Sequence, residues 1–68
     1  MATTYRTFDG QTVGMGDVVW AKNGLGPYII GSGPGRMLRL RHVNDPDDVL
    51  HFEPGDLALY TCVSRPVN

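Results

Sequence analysis

Arg36, Arg39 and Arg41 form the densest basic cluster in the chain. Guanidinium groups gathered on one face would clamp phosphate oxygens, with Trp20 or Tyr28 nearby as a stacking platform for a base. The competing reading is a plain exposed strand face, with Arg39 paired to Glu53 and Arg41 facing His51. Asp45, Asp47, Asp48 and Glu53 lie close by in sequence, and their charge would repel a phosphate backbone. The aspartates themselves lack the central Gly and the later bidentate Glu of an EF-hand loop. Asn-Asp and Asp-Pro form turns for local reasons, so Asn44 to Asp48 is read as a turn rather than a calcium site.

His42 and His51 would serve as a ligand pair or a general base only if they shared a face. Strand alternation puts them on opposite faces, which argues against a common metal. His51 is then the first candidate for a functional titrating residue, set against the reading of an ordinary surface histidine. Ser, Cys and His show no nucleophile arrangement. Gly31-Ser-Gly-Pro-Gly35 has a phosphate loop's glycines but neither its Lys nor its following helix. Trp20 and its neighbour Val19 point to opposite sides of one strand. A Trp20 turned outward would mark a binding surface, and one turned inward would be the largest core side chain.

These residues need a scaffold, and the composition limits what it can be. A chain of 68 residues makes one domain. Such a domain buries only about 60% of the surface its unfolded chain exposes, so its stability is marginal without a staple or a partner. Cys62 is the only cysteine, which rules out a disulfide within the chain. Neither histidine has Cys or His at metal-ligand spacing. Self-association is the remaining common remedy. The net charge of -1 and pI near 6.0 provide no bulk attraction to nucleic acid or anionic membrane. No apolar run approaches the roughly 20 residues of a membrane span. Met1-Ala-Thr-Thr-Tyr-Arg6 has no apolar core behind it, so no signal peptide is expected and the expected location is cytoplasmic.

Nine glycines and five prolines fall between apolar runs, as turns should. Thr3 to Phe8 reads as a strand or a mobile tail, followed by a turn at Asp9-Gly10. Val18 to Lys22 is a strand by β-propensity. Asn23-Gly24 signals a turn, and Tyr28 to Ile30 is the next strand. From Arg36 to Val43 the residues alternate, with Leu38, Leu40 and His42 on one face and Arg39 and Arg41 on the other. A five-residue loop, Asn44 to Asp48, predicts a register that pairs Leu40 with Phe52, His42 with Leu50, Arg41 with His51 and Arg39 with Glu53. Pro54-Gly55-Asp56-Leu57 reads as a 3₁₀ turn, and Leu59 to Val63 as the last strand, with no helix pattern anywhere. The expectation is an all-β, SH3-like barrel of about five strands with a short 3₁₀ turn before the last. Residues 1–12 would be an N-terminal segment, 13–63 the barrel and 64–68 a tail.

Met15-Gly-Asp-Val-Val-Trp-Ala-Lys-Asn-Gly24, Tyr28-Ile-Ile-Gly31 and Val49-Leu-His-Phe-Glu-Pro-Gly-Asp-Leu57 together resemble the plasmid-encoded type II dihydrofolate reductases. The shared features are an M-G-D-x-V strand start, a K-x-G turn, an I-x-G strand end, and a Val followed eight residues later by a Leu. The resemblance implies an SH3-like fold and a tetramer around one central pore that holds NADPH and folate. The pore residues do not carry over. Where that family reads V-Q-I-Y, this chain has Leu50, His51 and Phe52 after Val49. Leu cannot supply the amide hydrogen bonds of Gln, and Phe lacks the phenol. The family's pore lysine falls at Ala21, with Lys22 only adjacent.

The functional expectation is therefore a non-enzymatic binding module that acts through protein contacts, as a homo-oligomer or as an accessory to a larger partner. Trp20, Tyr28, Arg39, Arg41, His51 and Phe52 are its candidate surface, with no catalytic residue, metal or cofactor. A reductase-like tetramer using NADPH, and a nucleic-acid-binding barrel centred on Arg36, Arg39 and Arg41, are the alternatives. A chain this compact would suit a phage or plasmid accessory protein.

Overall fold

Apolar side chains recur at every second position along the central segments, and these segments pair as antiparallel strands. The computed structural model describes residues 3–64. A short hairpin joins β1 (Tyr5–Arg6) to β2 (Thr12–Val13). The main sheet contains β3 (Val18–Ala21), β4 (Tyr28–Ser32), β5 (Leu38–His42), β6 (Asp45–Phe52) and β7 (Thr61–Cys62). Its order is β6-β5-β4-β3-β7. The chain is thus mostly β, with a five-stranded sheet and a two-stranded one. β6 and β7 are the edges of the main sheet and do not pair with each other, so the sheet is open.

Val19, Ile30, Leu38, Leu40 and Leu57 are almost wholly buried, and Val13 and Tyr28 complete the core. Tyr5, Ala21, Leu50 and Phe52 pack at its margin. The N-terminal segment is a paired strand rather than a tail: Tyr5 pairs with Val13 and Arg6 with Thr12. Of the expected tail at 64–68, only Ser64 lies within the described residues.

The 3₁₀ turn forms at Pro54–Asp56, where Asp56 N–H donates to Glu53 O at 2.9 Å. Proline suits its start because it has no N–H to leave unpaired there. The chain does not then enter a long last strand as expected. It makes one helical turn, α1 (Leu57–Tyr60), which drops Leu57 into the core. Thr61 ends that turn, with its backbone N–H and its hydroxyl both donating to Leu57 O. Only Thr61–Cys62 remains as strand, paired with Ala21 and Trp20.

The β5–β6 register also differs from expectation. Leu38 pairs with Phe52, Arg39 with His51, Leu40 with Leu50 and Arg41 with Val49. This is a slip of two residues, which leaves every side chain on its expected face. The tight connection is Val43-Asn44, since His42 pairs with Asp45. The surplus residues before Val49 form a bulge on β6 at the edge of the sheet. Pro46, with no N–H to give to a ladder, is tolerated there.

A groove on the outer sheet face

The side chains opposite the core form two rows across the sheet. One row runs Val18, Ile29, Arg41, Val49, and the next runs Gly31, Arg39, His51. Strand alternation places these residues opposite the side chains that enter the core. On β4, Tyr28 and Ile30 are buried while Ile29 between them is 42% exposed. On β5, Leu38 and Leu40 are buried and Arg39 and Arg41 point outward.

A groove of about 350 Å³ crosses this face. Ile29, Gly31, Arg39, Arg41, Val43 and Pro46 are among its walls. Gly31 lies on the central strand β4 directly across from Arg39, and its missing side chain leaves the groove open. Val43, in the tight connection, is 48% exposed. Among the described residues neither Arg39 nor Arg41 has a carboxylate partner, so both guanidinium groups keep their full donor capacity. The expected pairing of Arg39 with Glu53 is not formed; the register sets Arg39 across from His51 instead.

The acidic start of β6 reaches the same groove only through Pro46, since Asp45 pairs with His42 on the other face. Asp47 N–H donates to Asp45 Oδ1 at 3.1 Å, which folds the aspartates into a local turn. Asp48 is committed inward and accepts the Tyr28 hydroxyl at 3.2 Å. Asp45 and Asp47 remain exposed.

The sequence-derived candidates do not gather at one place. Arg39, Arg41 and His51 share the outer face. Arg36 is separate and lines a recess with Met37, Glu53, Pro54 and Gly55, so the three arginines do not form one cluster. Tyr28 is 2% exposed and belongs to the core, which withdraws it as a surface or stacking residue. Burial, the hydrogen bond to Asp48 and the charges of Asp48 and Asp45 all push its phenol pKa up. Phe52 is half-buried and turns to the core side, where its ring stacks on Tyr60 at 5.8 Å. With Ala21, Lys22 and Leu50, this pair borders a second recess of about 290 Å³. Trp20 is half-buried on the side of β3 opposite Val19, which settles which of the two faces the core.

His42 and His51 lie on opposite faces of the sheet. His42 packs edge-on against Tyr28, and its Nδ1 accepts the Asn44 N–H at 3.0 Å. Among the described residues no three His, Cys, Asp or Glu side chains converge as a metal site would require. Of the positions matching the reductase pore, Leu50 and Phe52 face the core side and His51 alone faces outward.

The sequence reading missed Ile29 and Val43 as groove residues. A signal for Ile29 was present: in a three-residue apolar run on a strand, the middle side chain must leave the core that the other two enter. No protein-family model matches this chain, and neither the curated proteins nor the solved structures provide a match.

Proposed function

We propose that the chain is a small non-enzymatic binding module of SH3-like architecture that acts through protein contacts on its outer sheet face. Five antiparallel strands with a 3₁₀ turn shortly before the last support the architectural reading. One observation carries the functional reading. Val18 and Ile29 are cross-strand neighbours, and with Val43 they stand 42–48% exposed beside two arginines that have no carboxylate partner among the described residues. Single exposed apolar residues are ordinary, but a contiguous set flanked by arginine has the make-up of a protein interface. The separation of Arg36 from Arg39 and Arg41, together with Asp45 and Asp47 on either side of the groove residue Pro46 in the chain, favours a protein over a phosphate backbone.

Ile29→Glu tests this reading, because the side chain lies outside the core. The immobilised variant is expected to lose the protein partners that the wild-type chain retains. Equal capture by both overturns the reading. Nucleic-acid binding that weakens steeply with salt would replace it with the phosphate-contacting alternative.

A further inference from the structure

Arg39 is half-buried and Arg41 exposed, and they stand two positions apart on β5, so both leave the outer face about 6.6 Å from each other along the strand. Gly31 and His51 flank Arg39, and Ile29 and Val49 flank Arg41. None of these four can neutralise a guanidinium group. The nearby carboxylates are turned elsewhere. Asp48 accepts the Tyr28 hydroxyl, Asp45 stands across from His42 on the opposite face, and Glu53 lines the recess that holds Arg36. Arg39 thus gives up part of its hydration without meeting an acid among the described residues.

Two positions past Arg41 stands Val43, which walls the groove together with Ile29 and Pro46. The complement of this arrangement is a segment with carboxylates over the arginines and an apolar side chain next to them. An extended chain repeats its same-face side chains at the strand spacing, so acids at alternate positions meet both arginines. We propose that the outer face binds an extended acidic segment of a partner protein, with alternate carboxylates on Arg39 and Arg41 and the next same-face apolar side chain against Ile29 and Val43. This rests on the protein-contact reading of the same face and names the chemistry of its partner.

Charge and shape have separate tasks. Each guanidinium fork meets the two oxygens of a carboxylate, which orients the segment on the face. Gly31 lets the segment come close to the sheet, because even an added Cβ there would meet nothing within 4 Å except Arg39 O at 3.7 Å. The apolar contact supplies attraction that salt does not screen. Asp47 stays exposed next to Pro46, so a chain charged along its whole length would be repelled at that end of the groove. An acidic stretch that gives way to an apolar residue fits the face, and a continuous phosphate backbone does not.

The test is titration of the full chain, followed by amide NMR, with the acetylated and amidated peptide Leu-Thr-Glu-Thr-Glu-Thr-Leu. Its sequence reads the same in both directions, and its leucines and glutamates share one face when it is extended. Saturable shifts at Gly31, Arg39, Arg41 and Val43 are expected, with binding that weakens as salt rises. Glutamine in place of both glutamates is expected to weaken binding about tenfold or more, as is Arg39→Gln with Arg41→Gln. Serine in place of the leucines should weaken it too, and Gly31→Val should block it by filling the gap. Circular dichroism of each variant separates loss of binding from loss of fold. A peptide that causes no shifts at millimolar concentration overturns the proposal. Equal binding of the glutamine peptide, or of acetate at the same carboxylate concentration, does the same. So does a single-stranded oligonucleotide that holds this face more tightly than the peptide. Capture of protein partners separates the two readings. Partners lost with Ile29→Glu but kept by the Arg39→Gln, Arg41→Gln variant overturn the acidic segment and leave the protein-contact reading standing. Partners kept by both variants overturn both readings.

Discussion

Gly26 shows how much one position can depend on the absence of a side chain. Its φ of +133° lies where residues with a Cβ seldom go, and an added Cβ would stand 3.3 Å from both Trp20 Cε3 and Tyr28 Cδ2. Those rings flank it from β3 and the start of β4, so neither yields without disturbing the sheet. Gly26→Ala is therefore expected to cost about 1–3 kcal/mol, read as a lower urea midpoint with an unchanged slope. Tyr28 is sensitive for a different reason. Its ring fills the core and its hydroxyl reaches Asp48 at the sheet's edge. Tyr28→Phe keeps the ring and loses the hydrogen bond, at about 1 kcal/mol near neutral pH. The raised phenol pKa adds a pH signature. Folding favours the protonated phenol, so its stabilisation is complete below the ordinary value of 10.0 and is lost as pH rises through the higher folded value. The stability gap between wild type and Tyr28→Phe should accordingly narrow in alkali. A gap that stays constant would mean the phenol is not held in its protonated form.

At the scale of elements, the N-terminal hairpin is fastened to the segment from Thr61 to Ser64 by a backbone hydrogen bond and one carboxylate. Phe8 N–H donates to Thr61 O, and Asp9 accepts the backbone N–H groups of Val63 and Ser64 at 3.1 and 3.3 Å. The Thr7 hydroxyl donates to Asp9 in turn and receives the Gln11 N–H. The Thr7 hydrogen bond is the main cause of the lowered Asp9 pKa, and the Ser64 and Val63 amides add to it against desolvation. Folding thus favours the ionised carboxylate. Its contribution is present above the ordinary value of 3.8 and is lost as pH falls through the lower folded value. Asp9→Asn should be less stable than wild type at neutral pH, with the difference shrinking in acid, as followed by thermal unfolding across that range. None of this fastening is visible in the sequence, because it joins residues 54 and 55 positions apart. The faces of β5 and β6 are legible, because alternation alone assigns Leu38 and Leu40 inward and Arg39 and Arg41 outward. The register is not, since a two-residue slip preserves every face and only the geometry of Val43-Asn44 and the bulge around Pro46 selects the pairing. The helical turn at Leu57–Tyr60 is similarly hidden: four residues are too few to show a helical period. For the groove, the arginines and His51 could be read from the sequence. Ile29 and Val43 could not be joined to them until the strand order was known.

For the whole molecule, the question is how so small a core remains folded. The completely buried residues are few, and Leu57 is held there by a single helical turn. Leu57→Ala is expected to cost about 2–5 kcal/mol, which is comparable to the entire stability of a domain this size and should leave the chain largely unfolded at room temperature by circular dichroism. Cys62 reports on the same margin. Burial chiefly, with the Asp9 charge, raises its thiol pKa. Its alkylation should therefore be slow in the native state and accelerate with urea in step with opening.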